Sequence, residues 1–244
     1  MVKIFIDSAN LLDIEEALKR GFARGVTTNP SLLAKEPKAT FEEHIGKILA
    51  LVQKYQPGIP VSVEVFSRDP KEILAQAKRF VKEFKYPELA IKVQVGWNEL
   101  AIIKELAAEG IKVNCTCAMS VSQAVMAAAA GARFVSLFWA RIRDGAAEKY
   151  ATVRKNYVAE GRLVDADFDP AAIIRETRRI FDASYPEAAI IAGSMRSVTD
   201  VVDAGKAGAH IVTVPPKFFV PMTEHFKTDE VVAQFLNDFA EWLK

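Results

Sequence analysis

The chain has 244 residues, of which 50% are hydrophobic, 26% charged and 9% aromatic; 32 Lys/Arg against 31 Asp/Glu leave a net charge of +1. That apolar fraction excludes global disorder, and a balanced charge without a long Lys/Arg run argues against a nucleic-acid partner. The 2 cysteines exclude a disulfide scaffold and point to a reducing compartment. Met-Val-Lys runs straight into Ile4-Phe5-Ile6-Asp7, too short for a signal segment, and the most apolar window, Ala124–Ala132, falls short of the ~20 residues that span a bilayer. A cytoplasmic chain with no membrane partner is expected.

In chain order, Lys3–Asp7 reads as a strand and Leu11–Arg20 as a helix with Leu11, Ile14, Ala17 and Leu18 on one face. Arg24–Thr28 is strand-like, Ser31–Tyr55 helical with a break near Pro37, and Val61–Val65 a β-branched strand. Pro70 opens a helix at a permitted position, with Ile73, Ala77, Phe80 and Phe84 as its apolar stripe. Leu89–Val93 is a strand and Asn98–Glu109 a helix. Gly110, Gly131 and Gly208 each close a helix and lead into a strand, because glycine supplies a left-handed C′ residue cheaply. With Ala189–Gly193, the strands start near residues 3, 24, 61, 89, 111, 133, 189 and 209. Helices between parallel strands imply right-handed crossovers. Eight such units predict a (β/α)8 TIM barrel, with a doubly wound open sheet as the alternative. No linker interrupts residues 1–244, so one domain is expected. Residues 228–244 carry Val231, Val232, Phe235, Leu236, Phe239 and Trp242, an extra amphipathic helix suited to packing on a neighbouring subunit.

Barrels of this kind act at the C-terminal ends of their strands. The polar residues there are Asp7, Thr27, Asn29, Glu64, Lys92, Asn114, Thr116, Ser136, Ser194, Arg196 and Thr213. If Asn114 and Thr116 point inward, alternation sends Cys115 and Cys117 outward to the helices. Lys92 lies in the otherwise apolar Leu-Ala-Ile-Lys-Val, and lysine is rarely buried. One reading is a solvated strand end or a structural ion pair with Glu64 or Asp7. The other is a Schiff-base lysine, whose free amine attacks a carbonyl in a partly dry site, with Asp7 and Glu64 as proton carriers.

Phe5-Ile-Asp-Ser-Ala-Asn10, Gly25-Val-Thr-Thr-Asn-Pro-Ser-Leu32 and Val61-Ser-Val-Glu-Val65 resemble the transaldolase family. So do Glu109-Gly-Ile-Lys-Val-Asn-Cys-Thr116, Ser136-Leu-Phe-Trp-Ala-Arg141 and Ala192-Gly-Ser-Met-Arg196, in order over nearly the whole chain. The length is similar to that of the short members, which include fructose-6-phosphate aldolase-like enzymes. The resemblance implies a Schiff-base barrel acting on ketose and aldose phosphates, or other anionic sugars, with no cofactor and no metal. It implies Lys92 as the nucleophile, Glu64 with a water held by Thr116 as proton carrier, and Asp7 as the base at the C4 hydroxyl. Asn29 and Asn114, helped by Thr27 and Ser136, would hold the three-carbon unit, with Phe138 beside the substrate; Trp97, which the family pattern does not carry, either adds bulk beside the mouth or packs against a helix. Arg141, Ser194 and Arg196 correspond to a phosphate site; guanidinium forks and helix N-termini both suit that anion. The resemblance also implies a homo-oligomer, a decamer with exchanged C-terminal helices.

The lysine segment departs from the family pattern Lys-Ile-Pro-x-Thr-x-x-Gly-Leu. Here it reads Lys92-Val-Gln94-Val95-Gly96-Trp97-Asn-Glu-Leu100. Ser136-Leu137 lacks the family's proline, and Trp139-Ala140 replaces small residues. These changes leave open a ketose with a different anionic end, such as a sulfonated sugar. Glu64 and Phe138 resemble transaldolases, where aldolase-type members tend to carry glutamine and tyrosine. An aldolase using free dihydroxyacetone, or a non-covalent sugar-phosphate barrel with a structural Lys92, are the alternatives. Cys-x-Cys is no zinc spacing, and His44, His210 and His225 are scattered, so no metal is expected.

Overall fold

A computed structural model describes residues 2–244. Eight parallel strands close into a barrel in sequence order. They are β1 (Lys3–Asp7), β2 (Val26–Thr27), β3 (Val61–Glu64), β4 (Leu89–Gln94), β5 (Lys112–Ala118), β6 (Phe134–Phe138), β7 (Ala189–Gly193) and β8 (Ile211–Val214). β8 returns to β1 through Lys3↔Ile211, Phe5↔Thr213 and Ile6↔Val214, so no edge is left open. The chain thus has the (β/α)8 architecture expected from its alternation.

The helices α1 (Leu11–Lys19), α2 (Pro30–Leu33), α3 (Phe41–Tyr55), α4 (Pro70–Phe84), α5 (Trp97–Ala108) and α6 (Val121–Ala129) follow the first five strands. Local chemistry starts them: Asn10, Thr40, Asp69 and Ser120 each cap a first turn through the side chain. The break near Pro37 separates α2 from α3. Gly110, Gly131 and Gly208 adopt positive φ, as the helix-to-strand reading requires.

Between β6 and β7 lie α7 (Trp139–Asp144), α8 (Ala151–Ala159) and α9 (Pro170–Ser184), which the sequence reading did not resolve. α9 opens on Asp169-Pro170, the same signal as Asp69-Pro70, and buries Ile173, Ile174, Thr177 and Phe181. α8 buries nothing, so its sequence carries no apolar stripe to find. α10 (Val198–Lys206) precedes β8, and α11 (Phe226–Trp242) ends the chain.

Two cores follow from strand alternation. Outward residues such as Ile6, Val26, Val63, Ile91, Val93, Val113, Val135, Ile190 and Val212 pack against the helices. Inward residues Phe5, Ala90, Phe134, Ile191 and Ile211 form a separate buried layer across the barrel axis. Gly25 makes room for it: a Cβ there would sit 2.5 Å from the Phe5 ring. Above this layer the inward residues turn polar, and that change of character positions the site. No helix among the described residues is long and apolar enough to cross a membrane.

Candidate active site

At the C-terminal mouth, a cavity of about 430 Å3 is lined by Asp7, Thr27, Asn29, Glu64, Lys92, Ser136, Phe138, Arg141 and Ser194 among others. These residues come from strands and strand ends far apart in sequence. β3, β4 and β5 place Glu64, Lys92 and Asn114 in one register row.

Lys92 is 5% exposed. Its Nζ lies 2.7 Å from Glu64 Oε2 and donates to the Thr28 carbonyl at 2.8 Å, so two of its three donors are engaged. The ion pair that the sequence allowed is therefore present, with Glu64; Asp7 bonds elsewhere. Thr27 Oγ1 donates to Asp7 Oδ1 at 2.9 Å and lies 2.6 Å from Thr213 Oγ1. Thr27 has one proton, given to Asp7, so Thr213 is the donor in the second bond. Burial pushes the Asp7 carboxyl above its ordinary range; Lys92 and the Thr27 hydroxyl pull the other way, and Glu64 adds to the rise.

Asn29 caps α2, its side chain accepting from Leu32 N, and still borders the cavity. Asn114 is fully buried and does not reach the wall. It sits beneath it, accepting from Ser136 Oγ at 2.8 Å and donating to Ser62 Oγ at 3.2 Å, so Ser136 stands between Asn114 and the cavity. Thr116 is also fully buried, and its hydroxyl has no hydrogen-bond partner.

Asn114, expected to hold the three-carbon unit, thus lies behind the wall, and three further expectations require correction. Cys117 does not face the helices: the β5–β6 register shifts between Cys115 and Ala118, Cys117 adopts φ +63°, and it joins the cavity wall. A bulge breaks strict alternation. Cys115 does face outward and is fully buried, and burial raises its thiol pKa to about 12. Trp97 is not beside the cavity. It is 82% exposed at the start of α5 and borders a separate groove with Pro70, Leu74, Leu100 and Met126. The turn explains this: Gln94 is tied to the Ser67 carbonyl at 2.9 Å, and Gly96 lies over the Glu99 carboxyl, leaving the next side chain outside.

Arg196 is the third. It forms a two-pronged pair with Asp144, through Nη1–Oδ1 at 2.8 Å and Nη2–Oδ2, and does not line the cavity. The guanidinium holds the Asp144 carboxyl below its ordinary range. Arg141 borders the cavity and forms no ion pair among the described residues. Ser194 adopts φ +62° at the wall.

Asp200, which the sequence reading passed over, organises this end. Buried in α10, it accepts from Trp139 Nε1 at 3.1 Å, Arg143 Nη1 at 2.9 Å and the Arg196 backbone N–H at 2.9 Å. Burial pushes its carboxyl up, but the Arg143 and backbone hydrogen bonds outweigh that and hold it below the ordinary range. Its sequence signal was limited to an acidic residue in a helical first turn. Thr213 and Ser31 complete the polar wall. Among the described residues no cluster of three His, Cys, Asp or Glu side chains is arranged to hold a metal.

The profile of the family Transaldolase/Fructose-6-phosphate aldolase matches residues 4–243. A probable transaldolase of Symbiobacterium thermophilum is 37% identical over 238 residues, covering 98% of this chain and 97% of that protein. One from Alkaliphilus metalliredigens is 36% identical over 243 residues, covering 100% of both. A probable transaldolase 1 of Listeria monocytogenes is 37% identical over 238 residues, covering 98% of each. Among solved structures, a mandelate oxidase superposes with a TM-score of 0.52 at 16% identity, over 88% of this chain and 64% of the oxidase, a likeness of fold alone. With full-length relatives at this identity and a profile spanning both the barrel and its final helix, the chain belongs to the transaldolase/fructose-6-phosphate aldolase family.

Proposed function

We propose that this protein transfers a dihydroxyacetone unit from a ketose donor, such as fructose 6-phosphate, to an aldehyde acceptor through an imine on Lys92. The observation that carries the reading is a 5%-exposed lysine, 2.7 Å from a carboxylate, sharing one cavity with a second carboxylate and a free arginine.

Glu64 takes a proton from the Lys92 ammonium, and the freed amine attacks the ketose C2. The N–C bond forms as the carbonyl π pair moves to oxygen, which is protonated. Glu64, through a water held by the Thr116 hydroxyl, delivers the further proton that expels this oxygen as water, leaving a protonated imine. The unpartnered Thr116 hydroxyl supports that role, because a buried hydroxyl ordinarily finds a partner. Asp7 then removes the C4 hydroxyl proton. The C3–C4 bond breaks, its electron pair moves through C2 to nitrogen, and an aldehyde leaves. The resulting enamine adds to the acceptor aldehyde, Asp7 returns its proton, and hydrolysis frees Lys92. Asn29 and Ser136 hold the hydroxyls of the three-carbon unit, with Thr27 and Asn114 positioning Asp7 and Ser136 from behind. Phe138 packs beside the sugar, and Arg141 and Ser194 receive its anionic end.

One observation favours a second reading of the donor. Arg196 is matched to Asp144 in the fork geometry that also binds phosphate, leaving Arg141 as the uncompensated cation at that end. A ketose with another anionic terminus fits that charge. Borohydride reduction with a panel of ketoses, read by intact mass, tests both readings. A covalent adduct that disappears in Lys92→Ala is expected; no adduct with any ketose, or one that survives the substitution, refutes the imine. Release of free dihydroxyacetone without an acceptor would identify an aldolase instead.

The reading includes assembly with further copies of the chain through α11.

A further inference from the structure

The opposite end of the barrel holds a second cavity of about 670 Å3. Four cationic side chains line it: Lys3 and Lys112 at the starts of β1 and β5, and Arg24 and Arg133 just before β2 and β6. Strand pairing gathers them on one ring: Arg24 N–H donates to the Ile4 carbonyl, and Ala189 N–H to that of Arg133. Glu88, the one carboxylate of the wall, is held by Lys112 at 2.6 Å. His210 adds no charge at neutral pH, because its Nδ1 accepts the Ile190 N–H at 3.0 Å and burial lowers its pKa.

Lys3, Arg24 and Arg133 have no carboxylate partner among the described residues, and Arg24 reaches only the Gly21 and Ala23 carbonyls. Uncompensated cations around one concavity repel each other, so stability alone does not account for their grouping. The floor is apolar, formed by Phe5, Phe134 and Ile211, members of the buried layer that lies across the barrel axis below the active-site mouth. Catalysis in such barrels belongs to the other end, so this concavity is a separate feature. Guanidinium forks recognise phosphate oxygens, and beside that sealed floor the partly exposed apolar wall of Ile59, Pro60 and Pro186 accepts the face of a ring.

We propose that this cavity binds a small organic molecule carrying a diphosphate group, with the phosphates on Lys3, Arg24 and Arg133 and the organic part against Ile59, Pro60 and Pro186. The inference does not depend on the imine at Lys92.

Isothermal titration of the full chain with ADP and with inorganic pyrophosphate tests it. One saturable site per chain is expected for each, with ADP about threefold or more tighter through the apolar wall. The double variant Lys3→Gln/Arg133→Gln is expected to weaken both by about tenfold or more, while Arg141→Ala leaves them unchanged. No saturable binding up to about 10 mM of either probe overturns the site. So does binding lost in Arg141→Ala but kept in the double variant, which would place the ligand at the mouth. ADP no tighter than pyrophosphate overturns the organic part. Circular dichroism checks that the double variant folds, and the single Arg133→Gln, weaker by at least about threefold, serves if it does not. Borohydride trapping on Lys92 in the same variants keeps failure of this site distinct from failure of the imine.

Discussion

Asp7 is held above the ordinary carboxylate range chiefly by burial. The folded chain therefore binds this proton more tightly than the unfolded chain. Stability from this group is present below the unfolded value and falls as pH rises through the folded one. Above the ordinary aspartate range this group is therefore a local cost of the site. Asp7→Asn, which keeps an acceptor for Thr27, is expected to raise the melting temperature at neutral pH and to lose that advantage near pH 4. Trapping on Lys92 should persist, while carbon–carbon cleavage falls by about 100-fold or more. A variant less stable than the parent at neutral pH, or one still cleaving at full rate, contradicts the assignment. Thr116 gives a complementary test. Its hydroxyl has no protein partner, so Thr116→Val should change stability by less than about 1 kcal/mol yet slow adduct formation about tenfold. Stopped reactions analysed by intact mass give that rate.

Two elements frame the Arg141 end of the cavity. α7 contributes Trp139, Arg141 and Arg143, and the turn into α10 contributes Ser194 and Arg196. Asp200 joins them by accepting from Trp139, Arg143 and the Arg196 backbone N–H, so it ties α7, which carries Arg141, to the turn that carries Ser194, without itself lining the cavity. Its lowered pKa means that this stabilisation is present above the ordinary aspartate range and is lost as pH falls through the folded value. Asp200→Ala is expected to cost about 2–3 kcal/mol in denaturant titrations, through orphaned donors. It should also raise KM for phosphorylated donors more than it lowers kcat. The reverse split would mean that the element acts on the chemistry and not on anion binding.

At the scale of the molecule, α11 stands apart from the barrel. None of its residues is buried, and Phe235, Leu236, Phe239 and Trp242 are all exposed. An apolar stripe of this kind on an otherwise closed fold marks an interaction surface. Deleting residues 226–244 should lower the assembly mass measured by analytical ultracentrifugation and leave the barrel's circular dichroism in place. An unchanged mass, allowing for the deleted residues, would mean that α11 does not join copies of the chain.

Much of this molecule was legible before folding. The eight strands follow from β-branched runs set between helical stripes; their number suited a barrel, and the pairing of β8 with β1 decided closure over an open sheet. Asp7, Glu64 and Lys92 were readable because polar residues at the ends of apolar strands have one place to go. The departures share a cause. Cys117 turned inward because a bulge in the β5–β6 pairing shifts the register by a non-local choice. Trp97 left the mouth because Gln94 and Glu99 fix the turn beneath it. Asn114 withdrew behind Ser136, and Arg196 turned to Asp144, because hydrogen-bonding side chains choose among neighbours that only the closed barrel supplies. Periodicity and residue type, which are local, determined the architecture and placed Lys92 and its carboxylates at the strand ends. Pairing partners and side-chain direction, which depend on atoms distant in sequence, were decided only by the tertiary structure.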